Sequence, residues 1–249
     1  MKKIRLDVIL ILVAMGCFAC YGVIAKQNME LENNAKNVKI RLQQLENKDY
    51  VSETETKYIN PYINLFEANE DMIAWINIPN TNIDYPVMQS LEDEEYYLYR
   101  DFFGNDDKNG TLFMDTDCQF DKNNPNIIIH GHHMKSGAMF GKLPLFENQK
   151  YGEEHSKIHL YTKEEKREYE VMSVFRVELS GNKTGEYSFY NYVAIDSEDK
   201  FNEFYNSIKE LSIYDTNVEA EYGDEFITLS TCSYHTKDGR MVVIAKRIV

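Results

Sequence analysis

Cysteine is scarce in this chain, with four in 249 residues. Cys17 and Cys20 fall inside an apolar run, where they act as small hydrophobes. That leaves Cys118 and Cys232, too few for the disulfide framework that staples small secreted domains. Their contexts also differ: Cys118 stands in the polar stretch DTDCQFDKNN, whereas Cys232 ends a run of β-formers. Two free thiols are expected. Positive charge is the second shortage. Of 27 basic and 41 acidic residues, three basic and one acidic precede residue 26, leaving 24 against 40 beyond it, a net of −16. Such a surface repels phosphate backbones and excludes nucleic acid as a partner, and it keeps a domain soluble beside a membrane. Internal repeats and low-complexity tracts are absent too.

What is present begins with a long apolar run. Lys2, Lys3 and Arg5 precede Val8 to Ala25, 18 residues without a charge. About 20 such residues cross a bilayer as a helix, and the basic flank belongs on the cytoplasmic side. No small-x-small cleavage site follows, which favours an uncleaved anchor over a removed signal peptide. Lipidation at Cys17 (VAMGC) fits less well, because apolar residues continue beyond it. The expected layout is a cytoplasmic tail (1–7), a single transmembrane signal anchor (8–25), an extracellular helical stalk (26–58) and one globular domain (59–249). In the stalk Met29, Leu31, Val38, Leu42 and Leu45 recur at loosely helical spacing. A short helix fits NPYINLFEANE, with Pro61 near its first turn.

From Asp71 onward the pattern changes to short strands punctuated by turn residues. Strands are expected near 72–78, 83–88, 111–115, 126–130, 157–162, 167–178, 225–231 and 240–248, and short helices near 91–98, 138–147 and 197–211. Eight strands in about 180 residues suggest one closed or nearly closed β-barrel, and that length buries a single sizeable core.

Three of the six histidines, His130, His132 and His133, fall in NIIIHGHHMKSGAMF. Imidazoles are common zinc ligands, yet this run lacks the acidic partner of an H-x-H-x-D-H site. His155 and His159 are four apart, but KIHLYT reads as a strand and does not present them as a helical pair. No metal is expected; strand-end histidines satisfied by nearby carbonyls are the plainer reading. A third reading joins the histidines to the C-terminal segment TLSTCSYHTKDGRMVVIAKRIV. A thiolate is the nucleophile at carbonyl carbon, and near pH 7 a thiol is mostly protonated. A neighbouring imidazole accepts that proton and returns it to a leaving amine, and a guanidinium holds the charge developing on the carbonyl oxygen. Strand-end His132, strand-end Cys232 and strand-start Arg240 can converge at one rim of a barrel.

These residues resemble the sortases, and among them class B. The likeness rests on TLSTC followed eight residues later by R-MVVIAK, on IIIHGHHMKSGAMF about 100 residues upstream, and on WINIPNTNIDYPVMQ. It extends across nearly the whole portion outside the membrane. Neither CGSCW nor QACRG is present, so papain-like and caspase-like readings fit poorly. The resemblance implies an eight-stranded sortase-type barrel with peripheral helices, Cys232 as nucleophile, His132 as acid/base with His133 a neighbour, and Arg240 as oxyanion or substrate clamp. The helix at 197–211, between the sixth and seventh strands, is implied to help form the substrate groove, with Tyr190, Tyr192, Val193 and Ser230 as groove residues. It further implies transpeptidation outside a Gram-positive membrane without metal or organic cofactor. A surface protein's C-terminal sorting motif (NPxT-like or related) is cut after threonine, held as a thioester, and passed to a peptidoglycan amine. Two alternatives stay open: a membrane-anchored cysteine peptidase that passes the acyl group to water, and a non-catalytic wall-binding barrel.

Overall fold

The computed structural model describes residues 2–46, 58–121, 125–178, 188–233 and 239–249, with side chains from Leu10 onward except those of Cys232 and Ser233. Eight strands form a closed barrel: β1 (Met72–Asn77), β2 (Asp84–Met88), β3 (Leu112–Met114), β4 (Asn126–Gly131), β5 (Lys157–Thr162), β6 (Lys166–Glu178), β7 (Phe226–Ser233) and β8 (Gly239–Arg247). Their order around the barrel is β1-β2-β3-β4-β7-β8-β6-β5, and β5 closes onto β1. The pairs β2–β3 and β4–β7 are parallel and the others antiparallel. Every strand lies within two residues of its expected bounds. Closure removes the free edges that an open sheet of this length would expose.

Alternation along the strands divides the apolar residues between two cores. In β1, Ala74 and Ile76 point into the barrel with Ile129, Val174, Leu229 and Val243. Trp75, between them in sequence, points outward into a second cluster with Leu42, Leu65, Phe66, Phe102 and Phe113. Both faces of β1 are covered, which is why MIAWINI reads as a nearly unbroken apolar run. The Trp75 indole donates to Asp84 Oδ1 at 2.8 Å and stacks on Tyr62 at 4.4 Å.

The N-terminal segment is one continuous helix, α1 (Lys2–Leu45). Its first half is apolar and exposed from Leu10 to Ile24, long and apolar enough to be a candidate membrane span. Its second half lies on the barrel, where Leu42 is 3% exposed in the outer cluster. Burying a leucine there contributes about 1.5–3 kcal/mol, enough to seat the helix on the domain. Three shorter helices follow: α2 (Ile63–Ala68), α3 (Gln149–Glu154) and α4 (Glu198–Leu211). The helix expected near 91–98 contracts to a single tight turn at Tyr96–Tyr99, and that near 138–147 to one at Leu143–Glu147. α3 was not anticipated; an Asn148 cap accepting from the Tyr151 amide starts it. α4 begins at Ser197, which accepts from the Lys200 amide, and buries Phe201, Phe204 and Ile208.

Candidate active site

The parallel pairing of β4 with β7 and the antiparallel pairing of β7 with β8 bring distant segments to one end of the barrel. Register sets Gly131 opposite Thr231 and Cys232 opposite Arg240. Cα atoms of directly opposed antiparallel residues lie roughly 4.5–5.5 Å apart, so the backbone alone holds positions 232 and 240 together. The side chain of Cys232 lies outside the described residues. The Thr231 hydroxyl donates to the Gly131 carbonyl at 2.6 Å, tying the end of β4 to β7 just before His132 leaves the strand.

A cleft of about 250 Å³ opens at this end, lined by Leu98, Tyr99, His130, His132, Tyr190, Ser230, Thr231 and Arg240, with Glu94 and Glu95 at its rim. His132 is fixed in it by one hydrogen bond. Its Nε2 lies 2.7 Å from the Leu98 carbonyl, which can only accept, so Nε2 carries a hydrogen and Nδ1 holds the lone pair of the neutral ring. The Tyr99 ring flanks it at 5.5 Å. Burial draws His132 below the ordinary histidine value, with the Leu98 carbonyl pulling the other way. His133 departs in another direction: its backbone bridges to Met139 and it lines a separate cleft with Leu31, Glu32 and Lys135. Successive residues of an extended chain face opposite sides, and here the two histidines serve two different clefts.

Arg240 projects into the His132 cleft and donates to the Gly239 carbonyl at 3.2 Å. Among the described residues no carboxylate forms an ion pair with it. Burial pushes the Tyr190 phenol up, and the nearby Arg240 guanidinium opposes that shift. Ser230 is 1% exposed, and its Oγ has no hydrogen-bond partner among the described residues although it borders the cleft. Tyr190 stacks on His130 at 5.7 Å. The structure does not bring Tyr192 and Val193 to the cleft. Both are buried in the main hydrophobic core, Tyr192 against Phe204 of α4 at 5.4 Å.

Three neighbours escaped the sequence reading. Leu98 and Tyr99, more than 30 residues before His132, supply its anchoring carbonyl and flanking ring; nothing in DEEYYLY marks that role. Asp115 is the third, an acidic partner that the histidine run lacks in sequence. It meets His130 at 3.5 Å across the β3–β4 pair. Burial pushes the Asp115 carboxyl up, but His130 and the Asp117 amide outweigh burial and leave it below its ordinary value. With Glu94 these residues place three possible ligand atoms within 4.8 Å of one another. Cys118 is buried and free, its Sγ accepting from the Ile128 amide at 3.3 Å. Burial pushes its thiol up to about 12, so it stays protonated and unreactive.

The sortase-domain family profile matches residues 76–248 of this chain. Among curated proteins, sortase B of Listeria monocytogenes is 29% identical over 248 residues, covering 96% of this chain and 95% of that protein. Sortase B of Staphylococcus aureus is 28% identical over 195 residues, 77% of each chain. Among solved structures, sortase B from B. anthracis in complex with AAEK1 is 30% identical, with a TM-score of 0.70 over 86% of this chain and 96% of that one. A Staphylococcus aureus sortase B–substrate complex is 26% identical, with a TM-score of 0.69 over 90% and 96%.

Proposed function

The chain belongs to the sortase family, class B, and is a cysteine transpeptidase; from that premise we propose that Cys232, His132 and Arg240 perform the reaction, with Tyr190 and Ser230 lining the donor's groove. His132 Nδ1 takes the thiol proton of Cys232, and the thiolate attacks the carbonyl carbon of a threonine in the donor's sorting motif. The Arg240 guanidinium stabilises the oxyanion of the tetrahedral intermediate. As that intermediate collapses, the carbon–nitrogen bond breaks, His132 returns the proton to the departing amine, and a thioester remains on sulfur. An acceptor amine, which we assign to peptidoglycan, then attacks the thioester. His132 removes its proton, the new amide forms and the thiol is restored. Each step uses groups that the chain itself supplies.

The observation that carries this reading is the tautomer of His132. Its hydrogen bond to the Leu98 carbonyl commits Nε2 to donation, leaves Nδ1 as the base, and keeps both in the same cleft as Arg240. For location, we assign residues 1–7 to the cytoplasm and 8–25 to a single membrane anchor, with the stalk and the barrel (59–249) on the outer side. The apolar, exposed first half of α1 supports this. The donor is a surface protein with a C-terminal sorting motif, NPxT-like or related. Incubating the protein with a fluorogenic sorting peptide, with and without an added amine, tests the assignment. Amine-accelerated cleavage that is lost in Cys232→Ala is the expected result. Cleavage indifferent to amine would make the enzyme a hydrolase, and silence would make it a binding barrel.

A further inference from the structure

α1 joins two environments without a break. Its apolar part ends at Ala25, no glycine or proline occurs from there to Leu45, and the helix runs on through Lys26. Straight helices bend sharply at such residues or at inserted groups, so this stretch transmits position. Almost at once it meets the barrel. Gln27, Leu31 and Asn34 share a cleft with Tyr99 and Lys108, and Asn28 and Leu31 share another with His133 and Lys135. The contact is specific: Asn109, 1% exposed, donates from Nδ2 to the Leu31 carbonyl at 3.0 Å. Further along, the Arg41 guanidinium sits 3.5 Å over the Phe103 ring and Leu42 is buried. Held at both ends, the segment cannot swing against the barrel.

The catalytic cleft is at the membrane end of this segment. Tyr99 borders both the first α1 cleft and the His132 cleft. At 1.5 Å per residue, Lys26 to Leu31 advances only about 8 Å along the helix axis. We infer that the docked part of α1 is a ruler: it holds the His132–Cys232–Arg240 groove roughly 10–20 Å above the bilayer surface, where it meets a donor anchored in the same membrane. This rests on the readings of α1 as an anchor and of the groove as the catalytic site. A loosely hung domain would reach substrates at any height; this one reaches a narrow zone.

The test uses the full chain in vesicles and a variant with seven helix-forming residues inserted between Lys26 and Gln27. The insertion adds about two turns, or 10 Å, and nearly preserves the helix face. The same sorting peptide is offered free in solution and tethered to a lipid by a short linker. Solution turnover is expected to stay within twofold of the parent, while turnover of the tethered peptide falls at least tenfold and recovers when the linker is lengthened. Equal tethered turnover in parent and variant overturns the ruler. A parent that sediments with vesicles yet cleaves neither peptide refutes the catalytic reading, and one that does not sediment refutes the anchor.

A second measurement is independent of activity. Energy transfer from a bilayer dye to a fluorophore at Lys108→Cys is compared with that to one at Lys163→Cys, both in a background in which Cys17, Cys20 and Cys232 are replaced by alanine and Cys118 is buried. Lys163 lies in the β5–β6 turn, held by Tyr58 and Asn60 through the Thr162 carbonyl. That turn follows Tyr161, whose ring meets Tyr62 edge-on at 5.2 Å. The Tyr62 phenol in turn feels the carboxylate of Glu46, the residue just past the far end of α1. The Lys108 label is expected to lie nearer the bilayer by about 20 Å, the rise of the 14 residues from Leu31 to Leu45. Equal or reversed depths overturn the proposal even where the insertion variant misfolds.

Discussion

His132 and His133 are adjacent in sequence and separate in space, and that separation gives the sharpest test at the scale of single residues. His132 faces Arg240 across the cleft, whereas His133 faces α1. A positioned acid/base contributes roughly 10²–10⁴-fold. Turnover by His132→Ala is therefore expected to fall by at least a hundredfold, while His133→Ala stays within about threefold, both measured with the fluorogenic peptide. Equal and complete loss would undo the assignment. Arg240 is tested by geometry rather than charge. Lysine keeps the positive charge but presents it on a flexible stem, whereas an oxyanion needs donors in fixed directions. Arg240→Lys and Arg240→Ala are both expected to lose about a hundred- to a thousandfold in kcat. Were Arg240 only one half of an exposed ion pair, worth ~0–1 kcal/mol, the same changes would barely register. Sequence made these residue types legible because the chemistry demands them at strand ends. It could not reveal the Leu98 carbonyl, since a backbone acceptor has no sequence signature.

At the scale of elements, periodicity was a good guide and helix length a poor one. Strands β1 to β8 alternate or run apolar in ways that a half-buried or doubly buried strand must, so their bounds were readable. The tight turns at Tyr96–Tyr99 and Leu143–Glu147 were overestimated because tyrosine and leucine spacing fits a full helix equally well. Tyr192 and Val193 fall beside the groove in sequence, but Tyr192 packs on Phe204 and Val193 joins the core. The junction of β4 with its following loop depends on Gly131. A Cβ there would come within 2.3 Å of Leu112 Cδ2 and 2.8 Å of Phe140 Cδ2, both side chains being buried. Gly131→Ala is expected to destabilise the protein by about 1–3 kcal/mol through overpacking. It is also expected to lower turnover more than binding, because His132 is the next residue. Thermal unfolding of the detergent-solubilised chain and peptide kinetics read the two effects separately; an unchanged Tm would mean that the neighbours yield freely.

For the whole molecule, acidity is the informative variable, because the protein carries a net charge of −14 and its site contains a half-buried histidine. Acidification relieves the self-repulsion of an acidic chain and so stabilises it. Glu94 and Asp107, raised mainly by burial, act in the same direction. Asp115, held below its ordinary value, contributes stability that is present above the unfolded carboxylate range near pH 4 and is lost as pH falls through its folded value. His132 acts in a higher window. Its folded value lies below the unfolded value of about 6.5. Its contribution is thus complete above pH 6.5 and is lost as pH falls toward the folded value, because only the unfolded chain takes up the proton. The charges facing it are Glu94 and Glu95 at the rim and Arg240 across the cleft. A single melting curve mixes all these terms, but the difference between the parent and His132→Ala isolates one. That difference in Tm is expected to shrink between pH 7 and pH 5. The opposite sign is equally readable. If the difference grows on acidification, the folded site favours the imidazolium, and His132 then rests as one half of an ion pair with the Cys232 thiolate instead of as a neutral base awaiting a thiol proton.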